Sequence, residues 1–439
     1  MKLFFVSLGC DKNLSDSEHM LGLLEEDGFS VTDDETQADI IVINTCCFIN
    51  DAKEESIQTI IDLGKERTEG SCRALIVAGC LAQRYRKEIR EELPVVVALI
   101  GSASTSRILE AVREVLAGNR PDLFDDLDVK PDEIPERILT TGGHYAYLKI
   151  AEGCNKNCTY CIIPKVRGPY RSLPMEYLLK EAEKLAEGGV KELILVAQET
   201  TLYGTDLYGE KYLHVLLREL CRITGLQWIR ILYCYPEEIY PELIRVVTEE
   251  EKICHYLDLP IQHCNDTILR RMGRRTTKKQ LEEIVDNLRR EIPDITLRTT
   301  LITGFPGETQ EQHEELMEFT DRMEFDRLGV FSYSREENTP AAGMDDQSPE
   351  EIKQQRRNEL MELQQEISAD LSRRKIGSTV VAMIEGKAVD EDVYVARTAS
   401  DAPQVDGLLF LKTGETLMSG DFVCARITQA SEYDLIGEL

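Results

Sequence analysis

The stretch Gly153–Pro164 reads GCNKNCTYCIIP and carries three cysteines, Cys154, Cys158 and Cys161, at the spacing C-x3-C-x2-C. Clustered thiolates hold zinc or iron, and both usually take four ligands. No fourth cysteine follows within reach. On a four-iron cubane, three thiolates leave one iron open, and an open coordination position is where a metal performs chemistry. The competing readings are a zinc site that lacks its fourth ligand and a ferredoxin-type electron carrier.

A second trio is dispersed. Cys10, Cys46 and Cys80 each fall just past the C-terminal end of an apolar run: KLFFVSLGC, ADIIVINTC and RALIVAGC. Ligands of parallel sheets bind outside the C-terminal strand ends, and neighbouring strands lie about 4.8 Å apart. Three such cysteines can meet on one metal cluster, although each alone also reads as a small residue in a tight turn. Cys47 rivals Cys46, and periodicity does not choose between them. Cys72 stands at the opposite end of its strand.

The elements that must position these cysteines form three blocks. Residues 1–122 alternate apolar strands with helical patterns, which predicts an α/β fold with a doubly wound parallel sheet. In the first helix, Ser15 followed by Glu18 reads as a capping box. Residues 123–142, with Pro131 and Pro135 among many acids, read as an exposed linker. Residues 143–375 return to about six strand–helix repeats and predict a partial (β/α)6 barrel. An electron carrier has no need of a barrel that large. Polar residues gather at its strand ends: Gln198, Glu199, Gln262, His263, Arg298 and Thr300, where barrel enzymes place their chemistry. The block closes on a long helix with Ser348 as N-cap, Pro349 at N1 and Glu351 at N3. Residues 376–439 are short alternating runs broken by Gly and Asp, a small antiparallel β-barrel.

Composition sets limits. The 439 residues are 42% hydrophobic and 30% charged, with a net charge of −29, which argues against a broad nucleic-acid clamp. No apolar run approaches the ~18 residues of a membrane span. MKLFFVSLGC is too short in its apolar part for a signal peptide, so a cytoplasmic location and no membrane partner are expected. Thirteen cysteines in such a chain predict free thiols and metal ligands rather than disulfides. Cys221, Cys234, Cys254 and Cys424 read as inert, and the His263–Cys264 pair as structural.

The C-x3-C-x2-C motif at a strand end opening a partial barrel resembles the radical S-adenosylmethionine (SAM) enzymes. That resemblance implies that the open iron of a 4Fe–4S cluster binds SAM, whose reductive cleavage yields a 5′-deoxyadenosyl radical. SLGCDKNLSDSE, NTCCFINDAKEES and AGCLAQRY are similar to the auxiliary-cluster motifs of the methylthiotransferase family. The likeness implies a second 4Fe–4S cluster on Cys10, Cys46 and Cys80, with Cys46 rather than Cys47 as ligand, and a C-terminal TRAM-like barrel. It also places Tyr160 near the adenine, a position that ordinary packing explains equally well.

Within that family, YLKIAEGCNKNCTYCIIPKVRGPYRS, QETTLYGTDLYG, YSREENTPA and YDLIGEL resemble the ribosomal-protein aspartate branch (RimO-like). That branch usually has Asp where Glu199 stands here. The implied reaction inserts sulfur and a methyl group at the β-carbon of an aspartate of small-subunit ribosomal protein S-twelve, free or within the ribosome, with a reductant such as flavodoxin or ferredoxin. The alternatives are methylthiolation of a modified adenosine beside the anticodon of tRNA and a non-catalytic iron–sulfur sensor that binds the ribosome. Charge favours the protein substrate: residues 376–439 have four basic residues against eleven acidic ones, a net of −7, where an RNA-gripping module carries a basic stripe. Arg270–Lys279, with six basic residues in ten, is the counter-signal; it reads either as an RNA contact or as a solvated helix start. Gln198, Glu199, Gln262, Arg298 and Thr300 are the SAM or substrate-pocket candidates. Arg298 suits a carboxylate, that of SAM or that of the target aspartate. GFPGET (Gly304–Thr309) resembles a family turn near SAM.

Overall fold

The computed structural model describes residues 1–129, 136–388 and 392–439, so Pro131 and Pro135 lie outside the described residues. The chain divides into two compact units. One comprises residues up to Thr140 with Lys149–Tyr177 and Ser334–Ala342; the other comprises Thr141–Leu148, Leu178–Tyr333 and Gly343–Leu439.

The first unit is built on β1 (Lys2–Ser7), β2 (Ser30–Val31), β3 (Ile40–Thr45), β4 (Ala74–Gly79), β5 (Ala98–Ile100) and β6 (Asp122–Leu123). They lie in the order β2-β1-β3-β4-β5-β6, every pair parallel. β3 (IIVINT) and β4 (ALIVAG) are buried along their whole length, as central strands covered on both faces must be. Side chains alternate: Ile40 and Val42 enter one apolar cluster with Leu21 and Leu24, while Ile41 and Ile43 enter another with Ile60 and Leu81. The first helix runs Asp11–Glu26 with Cys10 as its extended N-cap. Ser15 is therefore inside the helix and is not the cap read from the sequence. The helix starts earlier because the Cys10 carbonyl already accepts from Leu14 N–H at 3.0 Å. Glu18 turns instead to the segment expected as a linker: it accepts from Thr140 N–H at 2.7 Å and pairs with Arg137 at 2.6 Å.

The chain continues through β7 (Tyr145–Lys149), β8 (Ala151–Glu152) and β9 (Arg171–Ser172), the last two forming a small antiparallel pair. The second unit then adds β10 (Glu192–Val196), β11 (Trp228–Ile231), β12 (Ile253–Asp258), β13 (Thr296–Thr303) and β14 (Arg327–Ser332). These strands and β7 form a six-stranded open sheet, β14-β13-β12-β11-β10-β7, the partial barrel that the repeats predict. Its long helix is Glu350–Arg374 with Pro349, not Ser348, at the N-cap. Pro349 is extended (ψ 149°), which moves the helix start on by one residue.

The C-terminal module is a closed barrel of β15 (Thr379–Lys387), β16 (Val393–Thr398), β17 (Leu409–Lys412), β18 (Phe422–Ala430) and β19 (Leu435–Glu438), in the order β15-β16-β17-β19-β18. Its pairings are antiparallel except for the parallel seam β17–β19. Buried charge ties it to the N-terminal ends of the sheet strands. Glu192 on β10 binds Arg230 on β11 and Arg397 on β16, both at 2.7 Å. Arg327 on β14 pairs with Asp401, and Trp228 meets Phe422 edge-on at 4.8 Å. Among the described residues no helix is long and apolar enough to cross a membrane.

Candidate active site

Cys10, Cys46 and Cys80 come together in the first unit beyond the ends of β1, β3 and β4. Gly9 makes the approach feasible. Its φ is +89°, and a Cβ there would lie 2.4 Å from Cys46 Cβ and 2.8 Å from its Sγ. Only glycine tolerates both conditions. Burial, with Cys10 and Cys80 adding to it, pushes the Cys46 thiol up to about 12, so the three sulfurs share one field. Cys47 is also fully buried, in the apolar cluster that holds Ile43, Ile60 and Cys80.

Side chains lock this arrangement. Asn13 Nδ2 donates to the carbonyls of Leu8 (2.9 Å) and Thr45 (3.0 Å), which joins the Cys10 and Cys46 loops. Ser56 accepts from Cys46 N–H at 3.1 Å and donates to Cys46 O at 2.8 Å. Arg167 Nε–H points at Cys80 Sγ, 3.3 Å away.

The second trio belongs to the same unit. Gly153 (φ +75°) precedes Cys154, and a Cβ there would lie 2.0 Å from Pro169 O. Cys154 N–H donates to Gly168 O at 3.1 Å, and Cys161 N–H to Cys158 O at 3.0 Å. Lys156 N–H donates to Cys154 Sγ at 3.4 Å, the kind of backbone bond that stabilises a thiolate. Burial raises the Cys161 thiol, with Cys158 and Cys154 adding to it. Tyr160 is half-buried, and the carbonyl of Thr159 beside it accepts from Ala341 N–H at 2.9 Å. Among the described residues, no three His, Cys, Asp or Glu side chains close around a single ion.

In the second unit, the strand-end residues take different roles. Glu199 is fully buried and accepts from Thr201 N–H at 3.0 Å, closing its own turn. Gln262 sits at φ +71°, its N–H on Thr300 O and its carbonyl on Ile302 N–H, both at 2.8 Å. Tyr233 sits at φ +60°, its N–H on Asp258 Oδ2 at 3.1 Å. Non-glycine residues in this region cost ~1–3 kcal/mol and cluster at functional sites. Gln198 is half-buried beyond β10. Arg298 has carboxylate partners of its own, Asp258 at 3.3 Å and Asp406 of the C-terminal barrel at 3.6 Å. It faces the module end of the sheet. His263 is fully buried and accepts from Asn265 N–H at 2.9 Å, a structural use.

Family models match three stretches: the Uncharacterized protein family UPF0004 over residues 2–101, the Radical SAM superfamily over 148–320 and the TRAM domain over 376–439. The ribosomal protein uS12 methylthiotransferase RimO of Lachnoclostridium phytofermentans is 58% identical over 437 residues, covering 100% of this chain and 99% of that protein. The proteins of that name from Pelotomaculum thermopropionicum and Clostridioides difficile are 49% and 46% identical, each covering 100% of this chain and 99% of theirs. The chain belongs to the RimO methylthiotransferase family. It is a transferase with a radical SAM domain. In fold it is similar to the radical SAM methyltransferase TsrM from Kitasatospora setae, at a TM-score of 0.58 and 14% identity, over 77% of this chain and 76% of that one. The cobalamin-dependent radical enzyme OxsB is similar at a TM-score of 0.50 and 15% identity, over 82% of this chain and 56% of that one.

Sequence reasoning missed Asn13, Ser56, Arg167 and Tyr233. Asn13, Ser56 and Arg167 stand inside the quoted motifs, three residues after Cys10, ten after Cys46 and six after Cys161. A polar residue near a cysteine was the available signal. The positive φ of Tyr233 leaves no trace in the sequence.

Proposed function

We propose that this chain is a radical SAM methylthiotransferase that converts C–H to C–S–CH3 at the β-carbon of an aspartate of ribosomal protein uS12. The relatives that carry the uS12 name match it end to end, and the observation that carries the reading is the pair of cysteine trios in one compact unit. Cys154, Cys158 and Cys161 would hold the SAM cluster, and Cys10, Cys46 and Cys80 an auxiliary 4Fe–4S cluster. When bound, these groups with SAM supply the radical, the sulfur and the methyl group. The protein's own share is to orient them. Asn13 and Ser56 fix the auxiliary cysteine loops, and Lys156 N–H steadies the Cys154 thiolate. Gln198 and Gln262, beyond their strands, and Thr300, within β13, are the proposed pocket residues, with Tyr160 beside the adenine. Glu199 and Arg298, already engaged by the chain itself, shape the pocket from behind. The domain limits 1–122, 143–375 and 376–439, a flavodoxin- or ferredoxin-type electron donor and a cytoplasmic location belong to the same proposal.

The tRNA reading loses its main support at Arg270–Lys279. Arg271 pairs with Asp346 at 2.6 Å and Lys278 with Glu315 at 2.8 Å. Arg274 is buried, donates to Pro260 O at 2.7 Å and stacks on Tyr235. Three of the six basic residues thus have partners within the chain, and Arg274 is buried.

The test is iron content together with SAM cleavage under dithionite. Cys158→Ala should abolish cleavage, whereas Cys10→Ala should lose about half the iron and still cleave SAM. Cleavage that survives Cys158→Ala, or full iron in Cys10→Ala, contradicts the assignment.

A further inference from the structure

Beside the dispersed cysteine trio lies a set of four charges, Arg167 and Asp16 buried, Lys149 and Glu152 partly buried. Arg167 donates to Asp16 at 2.7 Å and to Glu152 at 2.9 Å. Lys149 pairs with the same two carboxylates, at 3.0 Å from Glu152. The Arg167 and Asp16 side chains are 2% and 4% exposed. Arg167 also donates to Asn13 Oδ1, the residue that joins the cysteine loops. Replacing a buried ionic set with apolar side chains is often neutral or stabilising, so it is weak as a stability device. Here the set ends on sulfur: the fourth side-chain contact of Arg167 is its Nε–H on Cys80 Sγ at 3.3 Å. Hydrogen bonds to the sulfurs and net charge are among the factors that set the potential of an iron–sulfur centre.

We propose that Arg167 is a positioning residue that holds the Cys80 thiolate and raises the reduction potential of the auxiliary centre, with Asp16 as the opposing charge. This rests on the assignment of that centre to Cys10, Cys46 and Cys80. Taking up one electron makes the centre more negative, and a guanidinium in contact with a ligating sulfur favours that state. Asp16, on the far side of the guanidinium, disfavours it. Arg167 lies six residues beyond Cys161 on the loop that carries the other trio. The loop of one centre thus supplies the donor to the other.

The experiment uses the full chain with Cys154, Cys158 and Cys161 all changed to Ala, reconstituted anaerobically and titrated potentiometrically with electron paramagnetic resonance as readout. Arg167→Gln should lower the midpoint by at least the equivalent of tenfold in the reduction equilibrium, about 59 mV for one electron. Asp16→Asn should raise it. Arg167→Lys, which keeps the charge and loses the fork, should fall between Arg167→Gln and the parent. Lys149 remains to compensate both carboxylates in the Arg167 variants, and Asp16→Asn is nearly isosteric, so at least one arm retains the fold. Opposite shifts support the proposal, since a merely structural role moves both variants the same way or neither. Shifts of one sign, or none, overturn the role of Arg167 and leave the centre in place. A parent without iron overturns the auxiliary centre itself, and the proposal with it.

Discussion

Gly9, Gly79 and Gly153 stand directly before Cys10, Cys80 and Cys154, with φ of +89°, +91° and +75°. A Gly-Cys step lets the chain leave its strand in a left-handed turn and swing the thiol inward, and that much was legible as a dipeptide. Which neighbours hold the thiols was not, because Asn13 and Ser56 act across 32 and 10 residues on backbone groups, and a backbone acceptor leaves no mark in the sequence. Gly9→Ala should cost ~1–3 kcal/mol from the backbone conformation alone and also push Cys46 away. Its iron content is expected to fall to that of Cys10→Ala, read by iron assay on reconstituted protein. Retention of the parent's iron would show that the close approach to Cys46 is unnecessary.

At the scale of elements, the strands were visible because β3 and β4 are unbroken apolar runs, and the C-terminal barrel because its strands alternate. The helix starts at Asp11 and Glu350 were misjudged, since Cys10 and Pro349 hold extended backbone at those caps where side-chain chemistry pointed to Ser15 and Ser348. Arg298 shows a further limit. Strand position nominated it for the pocket, but Asp406 lies more than a hundred residues away, and no pattern links the two. The docking of the barrel depends on Glu192. Burial pushes its carboxyl up, but Arg397 and Arg230 outweigh that and hold it below the ordinary carboxylate range. Its contribution is therefore complete above the unfolded value of about 4.3 and is lost as pH falls through the lower folded value. Glu192→Gln leaves buried Arg230 without its carboxylate and Arg397 with Glu385 alone, and should cost ~3–5 kcal/mol in urea unfolding at pH 7. It should also lose less further stability than the parent between pH 7 and about pH 3.5. An equal acid sensitivity in both proteins would place the titrating group elsewhere.

At the scale of the whole molecule, the net charge of −29 is a long-range property that raises encounter rates with a basic protein and repels nucleic acid. Added salt screens that attraction. The apparent KM for uS12 is expected to rise several-fold between low and physiological ionic strength with kcat unchanged, and a salt-independent KM would remove charge from the account of recognition. The most direct measurement is mass spectrometry on anaerobically reconstituted protein given SAM, sulfide and reductant, with either uS12 or unmodified tRNA. A methylthio gain on one aspartate of uS12 and none on tRNA is the expected result. A gain on a tRNA adenosine alone would contradict it.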